Sequence, residues 1–353
     1  MNLPRMGTDK ARLALFPIVC EAEQHRIYAK VDELMALCDQ LEQEQTDNTE
    51  THQLLVKTLL DTLTNATDHT DFINTWKMIE QNFDILFTTE ASIDELKQTI
   101  LQLAVMGKLV PQDPNDEPAS VLLKKIAAEK ARLVKTGKIK KQKVLPKISE
   151  DEKPFELPAG HVFSRLQETI DVRDGTHDSP KDSEGKDTFP LVTSKNFLKG
   201  EIDFNGARRI SAEDHYNIAK RSNVEVHDIL FSMIGGNLGN QVIVKDSRPF
   251  SVKNVALFKY YSKSLTLPLF VKIFMEHLAL NLQSQAAGGA QPFVSLGFLR
   301  KIVIGLPPLN EQHRIIAKVK ELMALCNSLK EQLSSSQNTQ VQLADAIVSN
   351  AVH

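Results

Sequence analysis

The sequence predicts an α+β protein in which long helices bracket one α+β domain. Three observations predict it. A segment near the N-terminus recurs near the C-terminus; both copies carry apolar residues at coiled-coil spacing; and the chain between them holds short β-rich runs separated by Gly, Asn, Asp and Ser turns.

Residues 23–41 read EQHRIYAKVDELMALCDQL and residues 311–329 read EQHRIIAKVKELMALCNSL, identical at 15 of 19 positions and 288 residues apart. Solenoid units repeat every ~20–50 residues, so this duplication frames an insert and does not build an array. Ile27, Val31, Leu34, Cys38 and Leu41 advance by four and three alternately, as do Ile315, Val319, Leu322, Cys326 and Leu329. A second apolar pattern follows each copy, at Leu54, Leu55, Leu59, Leu60 and Leu63, then at Val341, Leu343, Ala344, Ile347 and Val348. Unbroken, residues 23–63 would form a helix of roughly 60 Å. Such a stripe needs a partner. The other copy is the natural one, in this chain or in a second, although a helical hairpin without further meaning fits the same pattern.

A further helix is expected from Ser92, read as its N-cap with Glu95 completing a capping box, through Ile93, Leu96, Ile100, Leu103 and Ala104 to Gly107. Three prolines between Lys108 and Pro118 forbid continued helix. Another helix is expected over residues 119–136, ended by Gly137, and residues 137–152 read as a Lys-rich linker. Residues 155–306 alternate predicted strands (190–193, 228–234, 241–244, 254–261) with helices (211–221, 268–284). The layout is therefore 1–70 first helix region, 71–154 helical region and linker, 155–306 α+β domain, and 307–353 second long helix.

The net charge of −3 hides an asymmetry: residues 21–50 hold nine acids and two bases, residues 121–147 ten bases and one acid. A basic run is either a solvated helix face or a phosphate contact. The three cysteines, Cys20, Cys38 and Cys326, show no metal or redox spacing and are expected to be buried thiols. No apolar run reaches the ~20 residues that cross a bilayer, no signal-peptide pattern is present, and a cytoplasmic location without membrane contact is expected. Catalytic motifs are missing. The Pro-Pro pair, Pro307–Pro308, lacks the Asp/Asn and aromatic flanks of an adenine methyltransferase loop, and there is no Walker A sequence.

The block SIDELKQTILQLAVMGKLVPQDPNDEPAS at residues 92–120 and PPLNEQHRI at 307–315 resemble conserved regions of type I restriction-modification specificity subunits (HsdS). DGTHDSP (174–180), PLVTSKN (190–196), DILFSMIG (228–235), NVAL (254–257) and QPFVSLGFLR (291–300) resemble motifs of their target-recognition domains. The resemblance implies a non-catalytic subunit whose long helices form an antiparallel coiled-coil spacer. It implies that each recognition domain reads one half of a bipartite target in double-stranded DNA. A modification (methyltransferase) subunit and a restriction subunit would be the partners. No cofactor is expected in this chain; S-adenosylmethionine, ATP and magnesium would belong to those subunits. One recognition domain stands where the family pattern has two, and residues 2–18 look like the tail of another. A half-length subunit forming a homodimer through the spacer helices is expected, and a target with identical inverted halves. A degenerate half that occupies the modification subunit without productive DNA recognition, and an enzyme that binds S-adenosylmethionine or ATP itself, are the alternatives.

Base reading needs donors and acceptors in loops, with separate groups on phosphate. Candidates are Thr176, His177 and Ser179 in a Gly-led loop; Ser194, Lys195 and Asn196 after a strand; and Arg208 and Arg209, suited to guanine or phosphate but equally an ordinary exposed pair. Asn237, Asn240 and Gln241 follow Gly235–Gly236, and Gln291 follows Gly288–Gly289. His177 fits a turn-stabilising role as well. The target sequence is not readable from these residues.

Overall fold

A computed structural model describes residues 12, 18–66, 69–286 and 293–351. The resemblance noted for residues 2–18 lies almost wholly outside them, as does Gln291. The chain divides into two compact units, residues 1–59 and 60–353.

The described part of the first unit is the greater part of one helix, α1 (Glu21–Asn65), which runs unbroken through the polar stretch between its two apolar patterns. Along the exposed surface, side chains are tied to their own helix. Lys30 reaches Glu33 at 2.9 Å, Arg26 pairs with Glu23, and Thr46, Thr49 and Thr51 return their hydroxyls to carbonyls four residues back. Such pairs are worth only ~0.2–0.5 kcal/mol each, so tertiary contact has to supply most of a long helix's stability.

In the second unit, α1 ends at Asn65, and Lys108 Nζ donates to the carbonyls of Thr64 (3.0 Å) and Ala66 (2.9 Å), placing a cation where free carbonyls collect. Partial burial lowers the Lys108 pKa. Two short helices follow, α2 (His69–Gln81) and α3 (Phe83–Leu86), then α4 (Glu90–Met106). The capping box of α4 sits three residues earlier than the sequence suggests: Thr89 is the N-cap and Ser92 its third-residue partner. Gly107 closes the helix in the left-handed region (φ 73°), as expected. α5 (Ala119–Lys135) follows the prolines.

The residues read as a Lys-rich linker are fastened to the domain. Arg165, largely buried, donates to both oxygens of Glu152 (2.7 and 2.8 Å) and to the carbonyls of Pro146, Lys147 and Lys301. Gln142 donates to Asp171 (2.8 Å) and accepts from the Tyr261 hydroxyl (3.1 Å).

The α+β domain opens and closes on one antiparallel pair, β1 (Val162–Arg165) against β11 (Val303–Leu306), with Val162 opposite Leu306. Short α6 (Leu166–Thr169) leads into β2 (Asp171–Asp174). β3 (Thr188–Val192), the two-residue strands β4 (Phe197–Leu198) and β5 (Glu201–Ile202), and β6 (Arg208–Ser211) precede α7 (Ala212–Ala219). β7 (Ile229–Ser232), β8 (Gln241–Ile243), β9 (Ser251–Val252) and β10 (Val255–Lys259) complete a four-stranded sheet, β2-β10-β7-β8, and a three-stranded one, β6-β3-β9. Val192, Phe197, Leu230, Val242, Val252 and Leu257 form their shared core. All five residues of β10 are buried, including Lys259, whose ammonium meets Asp228 at 2.7 Å. Burial raises the Asp228 pKa, and the Lys259 charge opposes that rise. After α8 (Pro268–Ala286) and α9 (Leu296–Lys301), the chain ends in α10 (Leu309–Ala351).

The two repeat copies differ in environment, which the sequence does not anticipate. In α10, Ile315, Val319 and Cys326 are buried and Leu322 and Leu329 partly so, because α10 packs on α4 and α8 of its own chain. In α1, Ile27, Val31, Leu34 and Leu41 are each about half exposed, at 48, 51, 49 and 55%. The cysteine expectation is corrected likewise: Cys326 is buried, whereas Cys20 and Cys38 are exposed. Among the described residues no helix is long and apolar enough to cross a membrane.

Candidate nucleic-acid interface

The end of β2 and the loop after it are pressed against the start of β10. A side chain on Gly175 would place its Cβ 2.2 Å from the Val252 carbonyl oxygen, so only glycine permits this approach. Backbone bonds fix it: Gly175 N to Val255 O (3.1 Å), Thr176 N to Val252 O (2.9 Å) and Asn254 N to Thr176 O (3.1 Å). Asn254 holds a left-handed φ of 55°, a conformation its short polar side chain tolerates.

Asp174 is the hub of the side chains gathered there. Its carboxylate, mostly buried, receives Arg221 on both oxygens, with Nε 2.9 Å from Oδ1, and lies 3.0 Å from His177 Nε2. The other ring nitrogen of His177 is 3.2 Å from Asn254 Oδ1. Lys253 Nζ bonds Ser179, and Arg208 donates to Asp182 (2.6 Å) and the Pro180 carbonyl (3.0 Å). Residues 174–182 are thereby held by three cations and one glycine contact. His177, Arg208, Arg221 and Asn254 stay exposed. Guanidinium groups beside amide and imidazole edges suit both guanine recognition and phosphate contact.

Several expected readers are buried or hydrogen-bonded within the fold. Thr176 is buried, and its Oγ1 accepts from the Asp178 amide (3.1 Å), fixing the turn. Asn196 is buried with Oδ1 accepting from Thr193 N (2.9 Å), which closes the Ser194–Asn196 turn. Gln241 is buried within β8. Thr176 and Asn196 thus spend these oxygens on their own turns, and Gln241 is buried with no hydrogen-bond partner for its Oε1. Arg209 is exposed like Arg208, with its Nε donating to Thr188 Oγ1 at 2.7 Å. Lys195 and Asn237 are exposed and Ser194 is half-buried. Asn240 donates to the Phe197 carbonyl (3.3 Å), joining its loop to the 194–197 turn. The structure thus brings Thr176, His177, Ser179 and Arg208 together in one place and the 194–197 and 237–240 segments in another.

Sequence reasoning missed Arg221 and Lys253 and did not single out the Asn254 side chain. Asn254 opens the NVAL segment, a signal that was available; nothing local marks the other two. Among the described residues no cluster of three or more His, Cys, Asp or Glu is arranged to hold a metal ion.

Residues 158–336 match the family described as the Type I restriction modification DNA specificity domain. The chain is 41% identical over 337 residues to the Type I restriction enzyme EcoAI specificity subunit of Escherichia coli, covering 94% of this chain and 57% of that protein. It is 39% identical to the EcoEI specificity subunit of the same organism, covering 96% and 58%. The chain therefore spans somewhat over half the length of these relatives. Likeness to solved structures is looser, as with the HsdS subunit from Thermoanaerobacter tengcongensis: 16% identity, TM-score 0.43, 76% of this chain and 57% of that one. On the family match and the two Escherichia coli relatives, the chain belongs to the type I restriction-modification DNA specificity family.

Proposed function

We propose that this chain is a sequence-reading subunit of a type I restriction-modification complex, supplying address and no catalysis. Its α+β domain reads one half of a bipartite DNA target. The observation that carries this is similarity at about 40% identity across nearly the whole chain to two named specificity subunits. The polar, cation-held loop of residues 174–182 gives that reading a physical form. Methyl transfer from S-adenosylmethionine, and any ATP- and magnesium-dependent step, would fall to modification and restriction subunits, with the long helices as the surface that holds the modification subunit.

A bipartite target requires a second reader. The homodimer expected from the duplicated helices is one source, and it gives a target with identical inverted halves. Methylome sequencing of DNA exposed to this chain with its modification subunit is the test. Methylation within a defined half-site motif is expected, and its absence, with a folded complex in hand, refutes the reading. Light scattering of the same complex reports whether two copies are present.

A further inference from the structure

The basic run of residues 121–147 divides in the structure into a helix face and a pinned strap. The helix face, on α5, is largely engaged. Lys125 pairs with Glu117 (2.6 Å) and Arg132 with Glu129 (2.6 Å), and Lys130 donates to the Gln167 carbonyl (3.1 Å) with its ammonium 5.1 Å from the centre of the Tyr261 ring. The strap follows, with Lys138, Lys140, Lys141, Lys143 and Lys147 all exposed and no regular structure over residues 140–149. Here the charges are not neutralised. Among the described residues Lys140, Lys141 and Lys143 have no ion-pair partner. The carboxylates beside the strap are committed to other cations: Glu150 to Lys153, Glu152 to Arg165 and Asp171 to Arg173.

These lysines are nevertheless held in place. Gln142 is half-buried on Asp171 and Tyr261, and Arg165 takes the carbonyls of Pro146 and Lys147 at 3.2 Å each. Side chains of extended chain alternate in direction, so with Gln142 turned to the domain, Lys141 and Lys143 turn away from it. Fixing like charges along one edge costs self-repulsion, which a polyanion relieves. An acidic protein surface is the weaker candidate. Protein interfaces deplete lysine and favour aromatic anchors, whereas the exposed side chains of residues 138–147 are five lysines, Val144 and Pro146. Position favours DNA. Asp171, which anchors the strap, opens β2, and Asp174, the hub of the candidate recognition loop, closes it. Three residues of strand put roughly 10 Å between them, about one Debye length in 0.1 M salt and about three base-pair steps. We propose that the Lys138–Lys147 strap is a second, sequence-blind DNA contact, holding backbone phosphates that flank the half-site read by residues 174–182. The proposal rests on the proposed function for the seating of DNA on that loop, while the phosphate contact itself is the same on any duplex.

The probe is a duplex of about 30 base pairs and arbitrary sequence, titrated with the full chain over a series of NaCl concentrations without any modification subunit. Combining Lys140→Gln, Lys141→Gln and Lys143→Gln should make the fall of log affinity with log salt shallower by about 2 to 3, at about 0.9 for each phosphate no longer met. Arg at the same three positions should restore the slope. The melting midpoint should not move, because these side chains hold nothing within the fold. A charge-matched control, Lys30→Gln with Lys57→Gln and Lys77→Gln, removes three exposed lysines elsewhere and should leave the slope alone. The proposal is overturned by an unchanged slope in the strap variant, by an equal change in the control, or by failure of the unaltered chain to bind the duplex at low salt. An unchanged slope joined to weaker, salt-sensitive binding of the modification subunit also overturns it, and gives the strap to a protein partner. The arbitrary duplex keeps the two readings apart. A shallower slope with no methylation motif sinks the half-site reading and leaves the strap standing; a defined motif with an unchanged slope does the reverse.

Discussion

Gly175, Lys253 and Glu152 each isolate one force in the recognition domain. Gly175→Ala forces a methyl into the Val252 carbonyl, where backbone has to move. A loss of about 1–3 kcal/mol is expected in chemical denaturation, with the loop displaced. Lys253 acts differently: its ammonium touches only Ser179 among the bonds at this loop and stays partly exposed, placed for a phosphate. Lys253→Ala should weaken binding about equally on all DNA sequences and reduce the slope of log affinity against log salt by about 1. An unchanged slope would remove Lys253 from the interface. Glu152 reports on pH. Arg165, followed by the Ser149 amide, holds its carboxyl down at about 2 against an ordinary 4.5. Because the folded value is the lower, the tie is fully present above pH 4.5 and is lost as pH falls toward 2. Glu152→Gln should flatten the acid-unfolding curve within that window and nowhere else.

At the scale of elements, identical sequence with different partners gives different energetics. Ile315→Ala opens a cavity between α10 and its neighbours and should cost about 2–5 kcal/mol. Ile27→Ala removes a half-exposed side chain and should stay within about 0.5 kcal/mol in the isolated chain. Equal effects in thermal melts would mean that the first stripe is covered in solution. This asymmetry was not legible in the sequence, because the residue that decides it, on α4, lies 200 positions and more from the repeat it covers. What was legible followed from local rules. α1, α4, α5 and α8 were marked by period, caps and prolines, and the strands β3, β7, β8 and β10 by runs of β-branched and aromatic residues between turn residues. β4, β5 and β9 have two residues each, too few for alternation to show, and β1 finds its partner β11 only through closure of the domain. The interface divides the same way. Loops rich in Gly, Ser and Asn were visible as loops, but whether Thr176 or Asn196 faces solvent depends on turns that consume their polar atoms. Arg221 and Lys253 enter the site from elements 30 residues and more away.

For the whole molecule, the division at residues 59 and 60 separates a rod from a reader with its own framework. The reader's core, the α4–α8–α10 packing and the Lys108 clamp on the end of α1 all belong to residues 60–353. The exposed stripe of α1 contributes to none of them. A chain beginning at His52, which keeps the buried Val56 and Leu60, should therefore melt within the roughly 2–4 °C that 1 kcal/mol makes in a domain of this size. It should also bind half-site DNA with unchanged sequence preference. Placed with the modification subunit, it should no longer support methylation of a bipartite target if the proposed second reader is held on the α1 face. Retained bipartite methylation would show that the second reader is held elsewhere, with the exposed end of α10 around Val341–Val348 the next surface to alter. A collapse of the melting midpoint would show that the rod is part of the reader's fold, and that the two units are thermodynamically one.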